Sequence, residues 1–191
     1  MTTIVPAAAP ARERILEAAY ELFSTRGIQA VGIDAIIDTS GVARQTLYRH
    51  FGSKQELVLA FLELREKRWT REWLQADVES RTTDPRERLL AIFDVFDGWF
   101  QEPGFEGCSF INVMLEHPSP DDAVGAASID QLARIRDFLT GLATDAAVAD
   151  PDDFARKWHI LMKGSIVARA EGDLGAARRS QQMGALLLGS V

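Results

Sequence analysis

Between Gly41 and Lys54 the chain sets Arg44, Arg49 and Lys54 among Gln45, Thr46, Tyr48 and His50, with no carboxylate until Glu56. Cations interleaved with amide, hydroxyl and imidazole groups suit a polyanion that also presents base edges. Arginine can bond guanine through two parallel hydrogen bonds, and glutamine can do the same for adenine. Thr46, Tyr48 and His50 suit phosphate oxygens, contacts that fix register without reading sequence. Ser53 and Glu56 form a capping-box pattern, so Lys54 adds an ammonium to a first helical turn whose free N–H groups already favour an anion. The chemistry expected here is binding of double-stranded DNA, with Arg44 and Gln45 on bases and Thr46, Tyr48, His50 and Lys54 on phosphates.

Such a set works only if short helices present it. Ile33 to Ser40 reads as a helix of about two turns with Ile33, Ile36 and Ile37 on one face, and Gly41 follows as the residue best able to take positive φ. Val42, Leu47 and Phe51 can pack a second helix down and leave the polar residues outward. Two short helices joined by a glycine turn make a helix-turn-helix. Upstream, Ile15, Leu16, Ala19, Leu22 and Phe23 repeat at helical spacing before Gly27, which predicts a first helix over 12–27.

The string Thr46-Leu47-Tyr48-Arg49-His50-Phe51, followed by Ser53-Lys54, resembles the signature of the TetR family of bacterial transcription regulators. In that family a Thr-Leu-Tyr-x-His-Phe core closes the recognition helix and a Ser-Lys pair opens the next. The chain departs from the pattern at Val31, Gly32 and Ala43, where the family often carries hydroxyls that cap helices or touch phosphate. More loosely, Gly107-Cys108-Ser109-Phe110-Ile111-Asn112 resembles a run in one group of the family's ligand-binding domains. The resemblance implies a homodimeric regulator, most simply a repressor of a palindromic operator released by a small-molecule effector. An all-α adaptor that keeps the fold without reading DNA is the alternative.

The net charge of −7 fits a DNA binder only once it is divided by region. Residues 12–54 hold six Lys or Arg against five Asp or Glu, a net of +1, which leaves −8 for the rest. Every acid of that region precedes Gly41, so residues 41–54 carry +3 and supply the local field that phosphate contacts depend on.

With 191 residues, 47% of them hydrophobic and no long alternating segment, the chain is expected to be all-α. The expected division is a mobile arm at 1–11, a three-helix DNA-binding domain at 12–56, and a larger effector-binding and dimerisation domain at 57–191. Helices are predicted over 53–81, from Asp84 and Pro85 to Phe100, and over 108–116, 121–142, 152–171 and 173–188. The last two, separated by Gly172, should pack as an antiparallel hairpin. Trp158, Leu161, Met162, Ile166, Met183, Leu186 and Leu187 give that hairpin more apolar surface than one side of a small core needs, which predicts a two-fold dimer.

Effector contacts are expected from Trp69, Trp73, Phe96, Trp99, Phe100, Phe110, Asn112, Met114, Glu116, His117, Trp158 and His159, the aromatic and polar residues of the middle helices. Asn112 and Glu116 are one helical turn apart and share a face. Cys108 near a helix start could be a thiol sensor, but Glu106 opposes a thiolate and packing is the favoured reading. A single cysteine forms no intrachain disulfide and fits the cytoplasm. No metal-ligand spacing, phosphate loop or nucleophile motif accompanies His50, His117 and His159, so neither catalysis, a cofactor nor a metal is expected. No apolar run is long enough to span a membrane.

Overall fold

The computed structural model describes residues 9–119 and 121–190, and the arm expected at 1–11 falls largely outside them. Every regular element among the described residues is helical: α1 (Ala11–Arg26), α2 (Ile33–Ser40), α3 (Arg44–His50), α4 (Lys54–Arg65), α5 (Ala76–Arg81), α6 (Pro85–Phe100), α7 (Ser109–Glu116), α8 (Ala123–Asp145), α9 (Pro151–Ala170) and α10 (Ala176–Gly189). The chain divides into two compact units. One runs through Lys67 and takes in Ser109–Asp130, and the other comprises Arg68–Cys108 and the chain from Gln131 onward.

In the first unit, Ile15, Ala19, Ile36, Leu47, Leu57 and Phe61 are wholly buried, so each of α1 to α4 contributes to one core. Phe61 receives the edges of Tyr20 and Phe23 at 5.7 and 5.5 Å, a geometry that adds to simple burial. Gly41 ends α2 in the left-handed region, φ 64° and ψ 28°, and its N–H closes on the Ile37 carbonyl. A side chain there would strain the turn that aims α3. The missing hydroxyls have the expected local consequence: Gly32 and Ala43 precede α2 and α3 with no side-chain cap.

The capping box at α4 forms as the sequence predicts. Ser53 Oγ accepts the Glu56 N–H at 3.1 Å, and Glu56 Oε2 accepts the Gly52 N–H at 3.0 Å. Ser53→Ala should therefore cost about 1 kcal/mol of stability, read from urea unfolding. The start of α6 is capped differently. Asp84 caps the N–H groups of Arg86 and Glu87, but Glu87 accepts the Thr82 hydroxyl, which in turn accepts the Asp84 N–H.

The single helix predicted over 53–81 is continuous, yet Glu66–Gln75 winds with π-helical geometry between α4 and α5. Bonds from i to i+5 keep residues four and five apart on one side. Trp69 accordingly meets Trp73 at 5.2 Å while Leu74 is fully buried. An apolar repeat of this spacing does not separate the two windings.

The second unit is built on α6, α9 and α10, with α10 lying against both others. Asp150 caps α9 by accepting the Asp153 N–H, with Pro151 at the first helical position. Gly172, φ 106°, turns the chain toward α10, although the connection runs through Gly175 and is longer than the single glycine expected. Leu89, Ile92, Phe93, Phe96, Phe100, Leu139 and Trp158 are wholly buried there.

Candidate nucleic-acid interface

Leu47 is the one buried residue of α3, and it turns the opposite side of the helix outward. Gln45, Arg49 and His50 are exposed, Tyr48 is 43% exposed and Thr46 is half-buried. Arg44 is also exposed, but its guanidinium pairs with the carboxylate of Asp34 on α2, an acid that a reading confined to residues 41–54 does not include. Such a pair between exposed side chains adds little stability. Arg12 lies over the Phe51 ring at 5.1 Å and adds a cation next to the end of α3.

Lys54 is placed differently from the others. Its Nζ donates to the Ile28 carbonyl at 2.6 Å, so it bridges α4 to the connection between α1 and α2. Burial holds its pKa below the usual lysine value, partly offset by the Glu116 carboxylate. The neighbouring surface of the same unit forms a half-open cavity of about 260 Å3 lined by Gln29, Lys54, Gln55, Val58, His117 and Asp122, among others.

Of the residues expected to contact an effector, five fall on α7 or beside it. Glu116 accepts the Gln29 N–H at 3.3 Å and its carboxylate lies 3.0 Å from where a Cβ on Gly27 would stand. His117 Nδ1 sits 2.6 Å from Asp122, which also caps the N–H of Val124, and His117 Nε2 is 3.4 Å from the Gln29 amide nitrogen. The His117 hydrogen bond, followed by that from Val124, holds the Asp122 carboxyl below the usual range. Phe110 is buried with its carbonyl accepting the Ser128 hydroxyl at 2.6 Å; Asn112 is exposed and Met114 half-buried.

The remaining seven lie in the second unit, and all but His159 are joined by ring contacts. Trp69, Trp73, Phe96, Trp99 and Phe100 form one cluster with centroid separations of 5.2–6.2 Å. Phe105 joins it, with Arg169 over its ring at 4.7 Å. Trp158 packs between Phe154 and Phe93, and Phe93 in turn meets Phe96, so the rings are continuous. His159 is 2% exposed, and its Nδ1 has no hydrogen-bond partner.

Burial, then the charges of Lys163 and Arg136, lower the His159 pKa from its ordinary value of 6.5 to about 3. Because the folded value lies below the unfolded one, the unfolded chain binds the extra proton between those limits. Stability is therefore lost as pH falls through that window. The wild type should lose about 2 kcal/mol more than His159→Gln between pH 7 and pH 5, measured by urea unfolding at each pH.

The residues expected at a dimer interface separate by burial. Trp158, Met162 and Ile166 are 0%, 2% and 6% exposed and belong to the subunit core. Leu161 and Leu187 are half-buried. Met183 and Leu186 are 55% and 77% exposed, joined by Ile160 and Val167 at 64% and 50%. Ile160, Gly164 and Val167 recur at i, i+4 and i+7, a second face of α9 that the apolar pattern carried and the sequence reading passed over.

Residues 15–61 match the family described as bacterial regulatory proteins, tetR family. The HTH-type transcriptional activator FasR of Mycolicibacterium smegmatis is 42% identical over 85 residues, covering 44% of this chain and 38% of that protein. The HTH-type transcriptional repressor KstR2 of Mycobacterium tuberculosis is 36% identical over 85 residues, 43% of this chain and 40% of the relative. These matches thus span about two fifths of the relatives' length. Over nearly the whole molecule, the crystal structure of a TetR-family transcriptional regulator from Streptomyces coelicolor superposes with a TM-score of 0.85 at 29% identity, covering 95% of each chain.

Proposed function

Because the chain belongs to the TetR family of bacterial regulatory proteins, we propose that it is a cytoplasmic, homodimeric repressor that binds a palindromic operator and is released by a small molecule. The observation that carries this reading is α3: a short helix anchored by one buried leucine, presenting Arg44, Gln45, Tyr48, Arg49 and His50 to solvent with no acid on the helix itself. Residues 12–56 act on DNA and residues 57–191 bind the effector and the second subunit. Arg44 and Gln45 read base edges. Thr46, Tyr48, His50 and Lys54 hold phosphates, Lys54 through the ammonium protons not engaged by Ile28.

The dimer forms through the outer face of α9 and α10, where Ile160, Val167, Met183 and Leu186 leave a patch that a two-fold partner can cover. Two recognition helices then meet half-sites about 34–36 Å apart. The effector sits against the aromatic residues of the second unit and favours a dimer with the wrong spacing. Coupling of this kind is reciprocal, so operator DNA weakens effector binding by the same factor.

Fluorescence anisotropy against duplexes tiling the DNA beside the coding region, with random competitor at fixed salt, tests the reading. Saturable binding to one tile with two subunits per site is expected; uniformly weak binding erased by salt would favour the adaptor. On the bound tile, Arg44→Ala should cost about 1–3 kcal/mol and relax base preference, whereas Lys54→Ala should weaken all sequences alike and flatten the salt dependence. Equal losses by both variants on specific and random DNA would refute the base-reading role of Arg44.

A further inference from the structure

The second unit carries two cations beside a buried neutral imidazole, and among the described residues no acid of the unit pairs with either. His159 and Lys163 are one turn apart on the same side of α9, and Arg136 of α8 lies close enough to both to act on their charge. Arg136 makes only a long contact to the Leu132 carbonyl, at 3.5 Å, and among the described residues neither it nor Lys163 meets a carboxylate at ion-pair distance. The buried Cys108 partly offsets the lowering of the Lys163 pKa by burial and Arg136. Arg178 and Arg179 of the same unit are paired by contrast: Arg178 bridges Asp94 and Asp97, and Arg179 reaches Asp173.

A buried imidazole with an unmade hydrogen bond is costly, and the two cations beside it disfavour its protonation. An anion arriving there would reverse both effects, because it accepts from the cations and makes a proton on His159 favourable. The surroundings supply an apolar wall as well. Trp158, next to His159, continues through Phe93 and Phe96 into the tryptophan cluster.

We propose that His159, Lys163 and Arg136 hold the anionic head group, carboxylate or phosphate, of an effector whose body is apolar. The proposal rests on the reading of this chain as a ligand-responsive regulator and specifies the charge of its ligand. Lys163 and Arg136 supply the charge-assisted bonds, and His159 supplies the innermost donor. Arg134, Asp130 and Asp137 on α8 are exposed and take no part.

The test uses the full chain and a series with one tail and four head groups: hexanoate, hexyl phosphate, hexanamide and hexylammonium, titrated calorimetrically without DNA. Hexanoate or hexyl phosphate should bind, and which of them binds more tightly assigns the head group. Hexanamide and hexylammonium should bind at least about tenfold more weakly, the scale of one lost charge-assisted hydrogen bond. Lys163→Gln and Arg136→Gln, each checked for an unchanged helical spectrum, should weaken the anion by a similar factor, and Lys163→Glu should turn the preference toward hexylammonium. Equal binding of hexanamide, unchanged affinity in both glutamine variants, or no anion binding up to the solubility limit would overturn the proposal. Operator release is followed separately by anisotropy. Anion binding that leaves DNA affinity untouched would keep the site and remove the ligand-responsive reading, whereas release by hexylammonium alone would do the reverse.

Discussion

Leu47→Ala should cost about 2–5 kcal/mol of stability in urea unfolding and abolish saturable operator binding. The helix it anchors, α3, has 7 residues, far too few to be helical without tertiary support. Its whole hold on the core is Leu47, at 0% exposure, with Val42 and Phe51 buried on either side of the helix. Shortening that side chain opens a cavity beneath the recognition surface. The polar residues then lose the common orientation that lets them meet base edges and phosphates together. Gln45→Ala on the outer side is the contrasting variant: stability within about 0.5 kcal/mol of wild type and a loss confined to DNA. An unchanged urea midpoint for Leu47→Ala would mean that α3 is held by something other than its buried leucine.

The parts of the fold that the sequence made legible are those specified by neighbours along the chain. The Gly41 turn, the Ser53–Glu56 box, the Asp84–Pro85 start of α6 and the inward set of Leu47 and Phe51 all follow from spacings of a few residues, and all formed. The pairing of Arg44 with Asp34 and the bond from Lys54 to Ile28 join residues on different elements, and no local pattern specifies them. The same holds for the grouping of Ser109–Asp130 with the DNA-binding helices. Glu116 and His117 look like ligand groups in the sequence because they are polar and near a predicted pocket helix. In the structure their hydrogen bonds go to Gln29 and Asp122. Lys163 and Arg136 escape a sequence reading for the opposite reason: each looks like an ordinary solvated charge, and only the fold brings a buried, unpartnered histidine under the influence of both.

Trp158→Ala should cost about 3–5 kcal/mol, and the loss should not depend on protein concentration. The sequence assigned Trp158 both to the dimer face and to the pocket because an apolar excess on α9 and α10 does not say which side of each helix is inward. In the structure Trp158 is 0% exposed, stacked on Phe154 at 5.3 Å and tilted against Phe93 at 5.5 Å. It is closed over by α10 at Gly184, where an added Cβ would stand only 2.7 Å from the indole ring. A side chain enclosed in this way stabilises the folded subunit whether or not a partner is bound. Leu186, 77% exposed on the outer side of α10, can matter only through what covers it. Leu186→Asp should therefore leave the subunit's helical content intact while shifting sedimentation toward monomer at low concentration, since mass action links an assembly's apparent stability to protomer concentration. If Trp158→Ala instead gave a well-folded monomer, or its destabilisation vanished on raising the protein concentration, the indole would belong to the interface and the core of this unit would have to be redrawn around Phe93 and Phe154.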